Sequence, residues 1–371
     1  MATRRYVSII LAALAGVAAL LIFSWFSSCQ GRMQACYASF REASSDTDPA
    51  QQERQRAIYG GFGASQSMVA FPMPLGDGTN GIVLIDRSNG KPSLIAPINY
   101  THWSPNFSVN GERLLFARQR KGSVERELVT CKVNTWQCEV LFRANSAISS
   151  AVDIDEDTAI FAMNVPRSDE KETSRRFDLF VARKGRSLKR LTEYESLTIS
   201  SISVGGNKIA FAAEGGHGLE PNRCAGSDRF KCDESNIYVR DIVRPEVALP
   251  NNPSTLKSHL VVSGYSVGVA LSSDGSKVAL RNTARSGNPW RYNVIIASLD
   301  GTEDREMKVE GFAFSAGAFV GDTFLVNELF DDRYQVRALN ISTGHLEDLQ
   351  FEILPGMPAT LPSISLSFSQ G

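Results

Sequence analysis

The sequence predicts an all-β protein: a six-bladed β-propeller of four-stranded antiparallel blades, preceded by one N-terminal transmembrane or signal helix. Six segments of alternating apolar residues each meet a tight turn and then a second apolar strand. The last apolar residues of these units stand at 71, 116, 161, 211, 280 and 326. Repeats of about 45 residues with turn-flanked strands are typical of propeller blades. Helix-period patterns are nearly absent after residue 60, which also favours an all-β domain.

The N-terminal segment comes first along the chain. Arg4 and Arg5 precede Tyr6–Phe26, whose 21 mostly apolar residues are long enough to span a bilayer. The positive-inside rule places the N-terminus in the cytoplasm and the rest of the chain on the other side of the membrane. An uncleaved signal anchor within residues 1–31 is one interpretation. A lipoprotein signal is the second, and an ordinary cleaved signal fits less well because no small-x-small site ends the apolar run.

The lipoprotein interpretation depends on Cys29. The run Phe26-Ser27-Ser28-Cys29 resembles a bacterial lipobox, in which the cysteine is lipidated, but it has Phe26 where leucine is usual. Residues 32–58, rich in Ser, Gln, Ala and Asp, are expected to form a tether, and residues 59–371 the propeller. We therefore expect a cell-envelope protein with its propeller on the extracytoplasmic, periplasmic side.

The cysteines support export. Six are present in three near pairs: Cys29 and Cys36, Cys131 and Cys138, Cys224 and Cys232. Even, locally paired cysteines in an exported chain are typical of small disulfide-closed loops. We expect disulfides at Cys131–Cys138, across a hairpin, and at Cys224–Cys232. If Cys29 is lipidated, Cys36 has no partner.

Composition excludes several function classes. The 371 residues are 43% hydrophobic and 21% charged, which is too apolar for a disordered chain. Lys plus Arg number 39 against 40 Asp plus Glu, so the basic excess of a nucleic-acid binder is missing. The four histidines have no metal-ligand spacing. We expect no nucleic-acid partner, no metal and no cofactor.

Each repeat contains a tight turn, often with glycine, between two of its strands. Asn110-Gly111 and Asp274-Gly275 favour hairpins because both turn residues can adopt positive φ. At the end of the chain, Leu361–Phe368 alternates like an inner strand. We expect strand 361–368 to supply the inner strand of the first blade and so to close the ring without a free sheet edge.

Two of the units resemble the TolB-like propeller repeat. Its hallmark is an apolar residue, Ser-Pro-Asp-Gly, two polar residues and Leu-Ala-Phe. Leu271–Leu280 matches it best and Phe107–Phe116 nearly as well, although both lack the proline. The resemblance covers roughly residues 60–371 and implies a six-bladed propeller outside the bacterial inner membrane. It says little about activity, because propellers serve as scaffolds, ligand binders and enzymes.

Long insertions are expected on one face of the ring, opposite the short glycine turns. They are Gln119–Arg126, Asn164–Arg176, Glu214–Asn236, Asn251–Gly264 and Arg281–Trp290. Long loops on a rigid scaffold are a common site of recognition, although insertions without a partner are the alternative. Candidate contacts with a ligand or partner, on this face or near the channel mouth, are His102, Trp103, His217, Arg223, Arg229 and Trp290. For Trp103 the alternative is packing beneath a blade link.

Catalytic and metal patterns are weak. Gly264–Gly268 spells G-x-S-x-G, but it leads into a strand instead of the helix that a nucleophile elbow needs. Asp153, Asp155 and Asp157 alternate like calcium ligands but lack the glycine and distal glutamate of an EF-hand loop. We therefore predict no catalytic residues.

The expected function is a membrane-tethered, non-catalytic interaction module that binds another cell-envelope protein or a peptide. The alternative is a propeller enzyme, or a carbohydrate or small-ligand binder, with its site in the central channel. Several charged side chains converging on the channel would favour the alternative, whereas a lining of serine and aliphatic residues would favour the interaction module.

Overall fold

The computed structural model describes residues 61–75, 79–96, 99–165, 176–196, 198–214, 236–242, 264–284, 291–301, 304–310, 312–313, 317–330, 333–353 and 362–368. All of them lie in one compact unit, Arg54–Gly371. The predicted span Tyr6–Phe26, Cys29 and the tether lie outside these residues. No helix in the described ranges is long and apolar enough to cross a membrane.

The described strands form six sheets, and each sheet is one propeller blade. Blade 1 contains β1 (Gly63–Ala64), β2 (Met68–Pro74), β3 (Asn80–Asp86) and β4 (Pro92–Ile95). Blade 2 contains β5 (Tyr100–Phe107), β6 (Arg113–Arg120), β7 (Arg126–Lys132) and β8 (Gln137–Ala144). Blade 3 contains β9 (Ile148–Asp155), β10 (Thr158–Val165), β11 (Arg176–Arg183) and β12 (Lys189–Arg190).

The second half of the ring repeats this order. Blade 4 shows β13 (Thr198–Gly205), β14 (Lys208–Glu214) and β15 (Asn236–Asp241). Blade 5 contains β16 (Gly264–Leu271), β17 (Lys277–Ala284), β18 (Arg291–Ser298) and β19 (Asp304–Glu310). Blade 6 contains β20 (Phe312–Ala313) and β21 (Ala318–Val320), which both pair with β22 (Thr323–Phe330), and then β23 (Arg333–Asn340) and β24 (Leu346–Ile353). The predicted six-bladed propeller of antiparallel blades is confirmed.

Glycine turns connect the inner strands, and two of these turns touch. Gly275 has φ 72°, in the left-handed region that a side chain disfavours. A Cβ at this position would lie 2.4 Å from the carbonyl oxygen of Gly205 in the blade 4 turn. The Gly206 amide also donates to the Ser273 carbonyl at 2.8 Å. The glycines therefore let the turns of blades 4 and 5 approach closely, besides setting the hairpins.

Apolar clusters between neighbouring blades hold the ring together. Each of six clusters of buried side chains combines residues of two adjacent blades. The cluster that closes the ring packs Phe71 and Val83 of blade 1 with Leu325 and Val336 of blade 6. Strands β1 to β24 follow chain order from blade to blade, and apolar side chains pack the boundary between blades 6 and 1.

The expected role of strand 361–368 is corrected by its position. The first strand of blade 1 is β1, and residues 362–368 instead cross the outer edges of blades 1 and 2. The Leu94 amide of β4 donates to the Pro362 carbonyl at 2.9 Å, and β25 (Ser367–Phe368) pairs in parallel with β8. Ile364 and Leu366 pack against the apolar cluster between these blades. The alternating pattern indicated a strand on an apolar surface, but alternation does not identify the surface.

The cysteine predictions have separate outcomes. Cys131 and Cys138 face each other on β7 and β8 and form a disulfide, as predicted. Cys224 and Cys232 lie outside the described residues.

Candidate functional site: the central channel

The inner strands of all six blades line a central cavity of about 370 Å³. This volume is within the range of small-molecule sites. The lining consists mostly of serine and apolar side chains, and Asp153 is the one ionisable side chain among the described residues that line it.

The channel serines connect neighbouring blades. Ser104 Oγ donates to the Ser149 carbonyl at 2.8 Å, and Ser149 Oγ donates to the Ile199 carbonyl at 2.7 Å. Ser201 Oγ lies 3.2 Å from both the carbonyl oxygen and the amide nitrogen of Val269. An inner strand leaves backbone groups unpaired along its channel edge, and these hydroxyls satisfy several of them. We therefore assign these serines a structural role.

Six equivalent positions form a ring that we call the collar. The last apolar residues of the six units stand at 71, 116, 161, 211, 280 and 326. In each unit, the collar residue lies on the inner strand and pairs with the residue two positions before that last apolar residue. The collar residues all line the cavity and are Ala64, Phe107, Asp153, Val204, Leu271 and Phe319. Five are apolar, so Asp153 is the exception.

Asp153 is held by the preceding blade. Its side chain is 2% exposed, and Oδ2 accepts a hydrogen bond from Arg113 Nε of β6 at 2.9 Å. Burial raises the pKa of Asp153 to about 6, and the Arg113 charge opposes this rise only in part. Asp155 and Asp157 are exposed, and in the described part of the chain no three His, Cys, Asp or Glu residues are grouped as metal ligands.

The predicted contacts His102 and Trp103 lie beside the channel without lining it. His102 is fully buried on β5, and its Nδ1 lies 2.9 Å from the Asn80 carbonyl oxygen. Burial lowers the pKa of His102 to about 4, so the imidazole is neutral at pH 7. Trp103 Nε1 donates to the Ile148 carbonyl of the next blade at 3.0 Å, in keeping with the packing alternative.

The remaining candidate contacts are His217, Arg223, Arg229 and Trp290, which lie outside the described residues. Among the long insertions, Gln119–Arg126 is shorter than expected, because only residues 121–125 separate β6 from β7. Gly264–Gly268 lies within β16, so no nucleophile elbow forms around Ser266.

Counting residues along the repeat does not reveal the collar position of Asp153. A spacing of 45 aligns Asp153 with Ser108, which caps its own hairpin turn. In the structure, Asp153 is equivalent to Phe107, because the pairing of β9 with β10 shifts by one residue between Thr158 and Ala159. The only signal in the sequence is therefore a charged residue near a position that is apolar in the other units.

Comparisons with known proteins show the fold. No protein-family model matches the sequence, and no curated protein matches it. TolB from Acinetobacter baumannii superposes with a TM-score of 0.55 at 14% identity, over 76% of this chain and 63% of that chain. This chain thus spans less than two thirds of that protein.

Two further structures are similar. The propeller domain of the Trilobed protease from Pyrococcus furiosus, described as having an open velcro topology, gives a TM-score of 0.50 at 12% identity over 80% of this chain and 98% of that chain. A chain of the Nidogen/Laminin complex gives a TM-score of 0.54 at 10% identity, over 79% of this chain and 95% of that chain. The resemblance to the TolB-like propeller is confirmed for the fold.

Proposed function

We propose that this chain is a membrane-tethered, extracytoplasmic propeller that acts as a non-catalytic protein-interaction module. The observation that carries the proposal is the channel lining. Its serine hydroxyls bond to backbone groups of neighbouring blades, and its one described carboxylate is already paired with Arg113. Propeller enzymes with a site in the channel need several converging charged groups, and the described lining offers only Asp153.

The partner surface that we propose is the long-loop face. Strands β10 and β11, β14 and β15, and β17 and β18 are joined there by the segments 166–175, 215–235 and 285–290. A rigid ring that holds the ends of such segments is a typical scaffold for recognition. The nidogen propeller was solved in a complex with laminin, which supports protein binding as one use of this fold. The proposed partner is another cell-envelope protein or a peptide.

Capture from a membrane extract tests the long-loop face. The full chain is compared with a variant that lacks residues 215–233. A control variant carries Glu156→Gln and Arg186→Gln, two exposed residues on the short-turn face. We expect the full chain and the control to retain the same partner and the loop deletion to lose it. Identical partners for all three would contradict the assignment.

The tether has its own test. Mass spectrometry of the mature N-terminus distinguishes an intact anchor, which retains the residues before Cys29, from a chain that begins with a lipidated Cys29. If alkaline carbonate releases the protein from membranes without detergent, this result would contradict both forms of membrane attachment.

Small-ligand binding in the channel is a second candidate function. The observation that favours it is the cavity of about 370 Å³ with a buried carboxylate in its wall.

A further inference from the structure

The collar places a carboxylate where the other five blades have apolar side chains. Burying an ionised carboxylate is costly unless hydrogen bonds and an opposite charge compensate. Asp153 has one such partner, Arg113, through a single N–H donor to Oδ2. Packing alone does not explain Asp153, because an apolar residue fills this position in every other blade.

The second oxygen of Asp153 is open. No donor to Oδ1 is found among the residues that the structure describes, although the residue as a whole is 97% buried on the channel wall. A carboxylate oxygen without a donor, on the wall of a cavity, can accept a strong, charge-assisted hydrogen bond from an incoming cation.

We propose that the channel binds an ammonium group carried on an aliphatic stem, with Asp153 accepting its hydrogen bond. The other collar residues, among them Phe107, Leu271 and Phe319, supply apolar walls for the stem. Arg113 bonds only to Oδ2 of Asp153. Oδ1 therefore stays available and favours a ligand that carries a hydrogen-bond donor. Anionic ligands find no unpaired cationic side chain among the described residues of this wall.

The ammonium group can come from a free alkylamine or from a lysine side chain of a bound protein. Asp153 lies close to the β9–β10 turn, at the short-turn end of the channel. The site is therefore separate from the proposed long-loop face. Either proposal can fail while the other stands, because deletion of residues 215–233 leaves every described collar residue in place.

The test is a titration of the detergent-solubilised full chain, followed by ligand-detected NMR at about pH 8. Three four-carbon probes differ in their polar group: n-butylamine, n-butanol and butyrate. A fourth probe, acetyl-lysine-amide, presents the same ammonium group on a peptide unit. We expect saturable binding of n-butylamine, at least about tenfold tighter than n-butanol, and no binding of butyrate.

Three variants locate the binding. Asp153→Asn should weaken n-butylamine binding at least about tenfold, whereas Asp155→Asn, an exposed neighbour on the same strand, should leave it unchanged. Arg113→Gln removes the charge that lowers the pKa of Asp153, so n-butylamine binding should require a higher pH in this variant than in the wild-type chain. Circular dichroism confirms that each variant is folded.

The wild-type chain alone can overturn the proposal, even if a variant fails to fold. Equal binding of n-butylamine and n-butanol, or no saturable binding of either amine probe, would do so. Tighter binding of acetyl-lysine-amide than of n-butylamine would support the site and indicate a protein lysine as its natural occupant. The reverse order would support the site and indicate a free amine.

Discussion

The boundary between blades 2 and 3 and the boundary between blades 6 and 1 are built differently. At the first, Trp103, Ser104 and Asn106 each donate a hydrogen bond to the carbonyl of the residue 45 positions later, next to a shared apolar cluster. At the second, where the ring closes, blade 1 meets blade 6 through the apolar cluster around Leu325.

The difference follows from how the chain runs. Blades 2 and 3 are consecutive, so a short connection fixes their register, and directional hydrogen bonds form at one constant spacing. Blades 6 and 1 come from distant parts of the sequence. Hydrophobic packing is non-directional, so it tolerates small differences in register where such distant segments meet. We infer that apolar burial closes the ring and that hydrogen bonds align consecutive blades.

The largest expected effect tests the closing cluster. Leu325→Ala should lower the free energy of unfolding by about 2–5 kcal/mol, because it leaves a cavity at a fully buried site. The matched control is Leu115→Ala, which removes the same atoms at the boundary of blades 2 and 3. Urea unfolding measures both losses, and hydrogen exchange should show faster opening of blades 1 and 6 only for Leu325→Ala. A loss below about 1 kcal/mol at Leu325 would contradict its role in closure.

The second prediction concerns the ion pair at the boundary of blades 2 and 3. The pKa of Asp153 is about 6 in the folded chain against an ordinary 3.8, so folding favours its protonated form. This contribution to stability is fully present below pH 3.8 and is lost as pH rises through about 6. The loss amounts to roughly 3 kcal/mol between acidic and neutral pH, at 1.36 kcal/mol per unit.

Asp153→Asn removes this titration and should flatten the dependence of stability on pH. Urea unfolding between about pH 4 and 7 measures the slope, and Asp155→Asn is the exposed control. An unchanged slope in Asp153→Asn would show that the pKa of Asp153 is not raised by burial.

The third prediction asks whether the outer strap, residues 362–368, stabilises the ring. Besides Ile364 and Leu366, the strap places the Phe368 ring 4.3 Å from the guanidinium of Arg118. Deleting residues 362–371 should cost about 2 kcal/mol, because the apolar surface that Ile364 and Leu366 cover between blades 1 and 2 becomes exposed to water. Ser365→Ala, at an exposed position, is the control. A melting curve identical to that of the full chain would show that the strap contributes nothing.

Local features of the sequence predicted much of this fold. The blades, the glycine turns and the Cys131–Cys138 hairpin depend on residues close together in sequence, so periodicity and turn chemistry identify them. The position of the strap could not be predicted in this way. Its alternating pattern shows which side chains face an apolar surface, but the inner edge of blade 1 and the outer edges of blades 1 and 2 both offer one.

The candidate site was less predictable than the fold. The residue type of His102 predicts a ligand contact, yet His102 is buried beside Phe116. In the sequence, Asp153 stands out only as part of an alternating acidic run. A one-residue shift in pairing moves Asp153 from a turn position to the collar, and residue counting does not reveal such shifts.

The smallest expected effect tests the hydrogen bonds between consecutive blades. Ser104→Ala removes the donor to the Ser149 carbonyl and should cost about 1 kcal/mol, the usual net contribution of one hydrogen bond. Ser150→Ala, which also lines the channel but has no hydroxyl contact among the described residues, is the matched control and should be nearly neutral. Channel water can replace a lost donor, so an equal stability of both variants would mean that water serves the carbonyl as well as Ser104 does. The Ser104 hydrogen bond would then not distinguish this boundary from the boundary between blades 6 and 1.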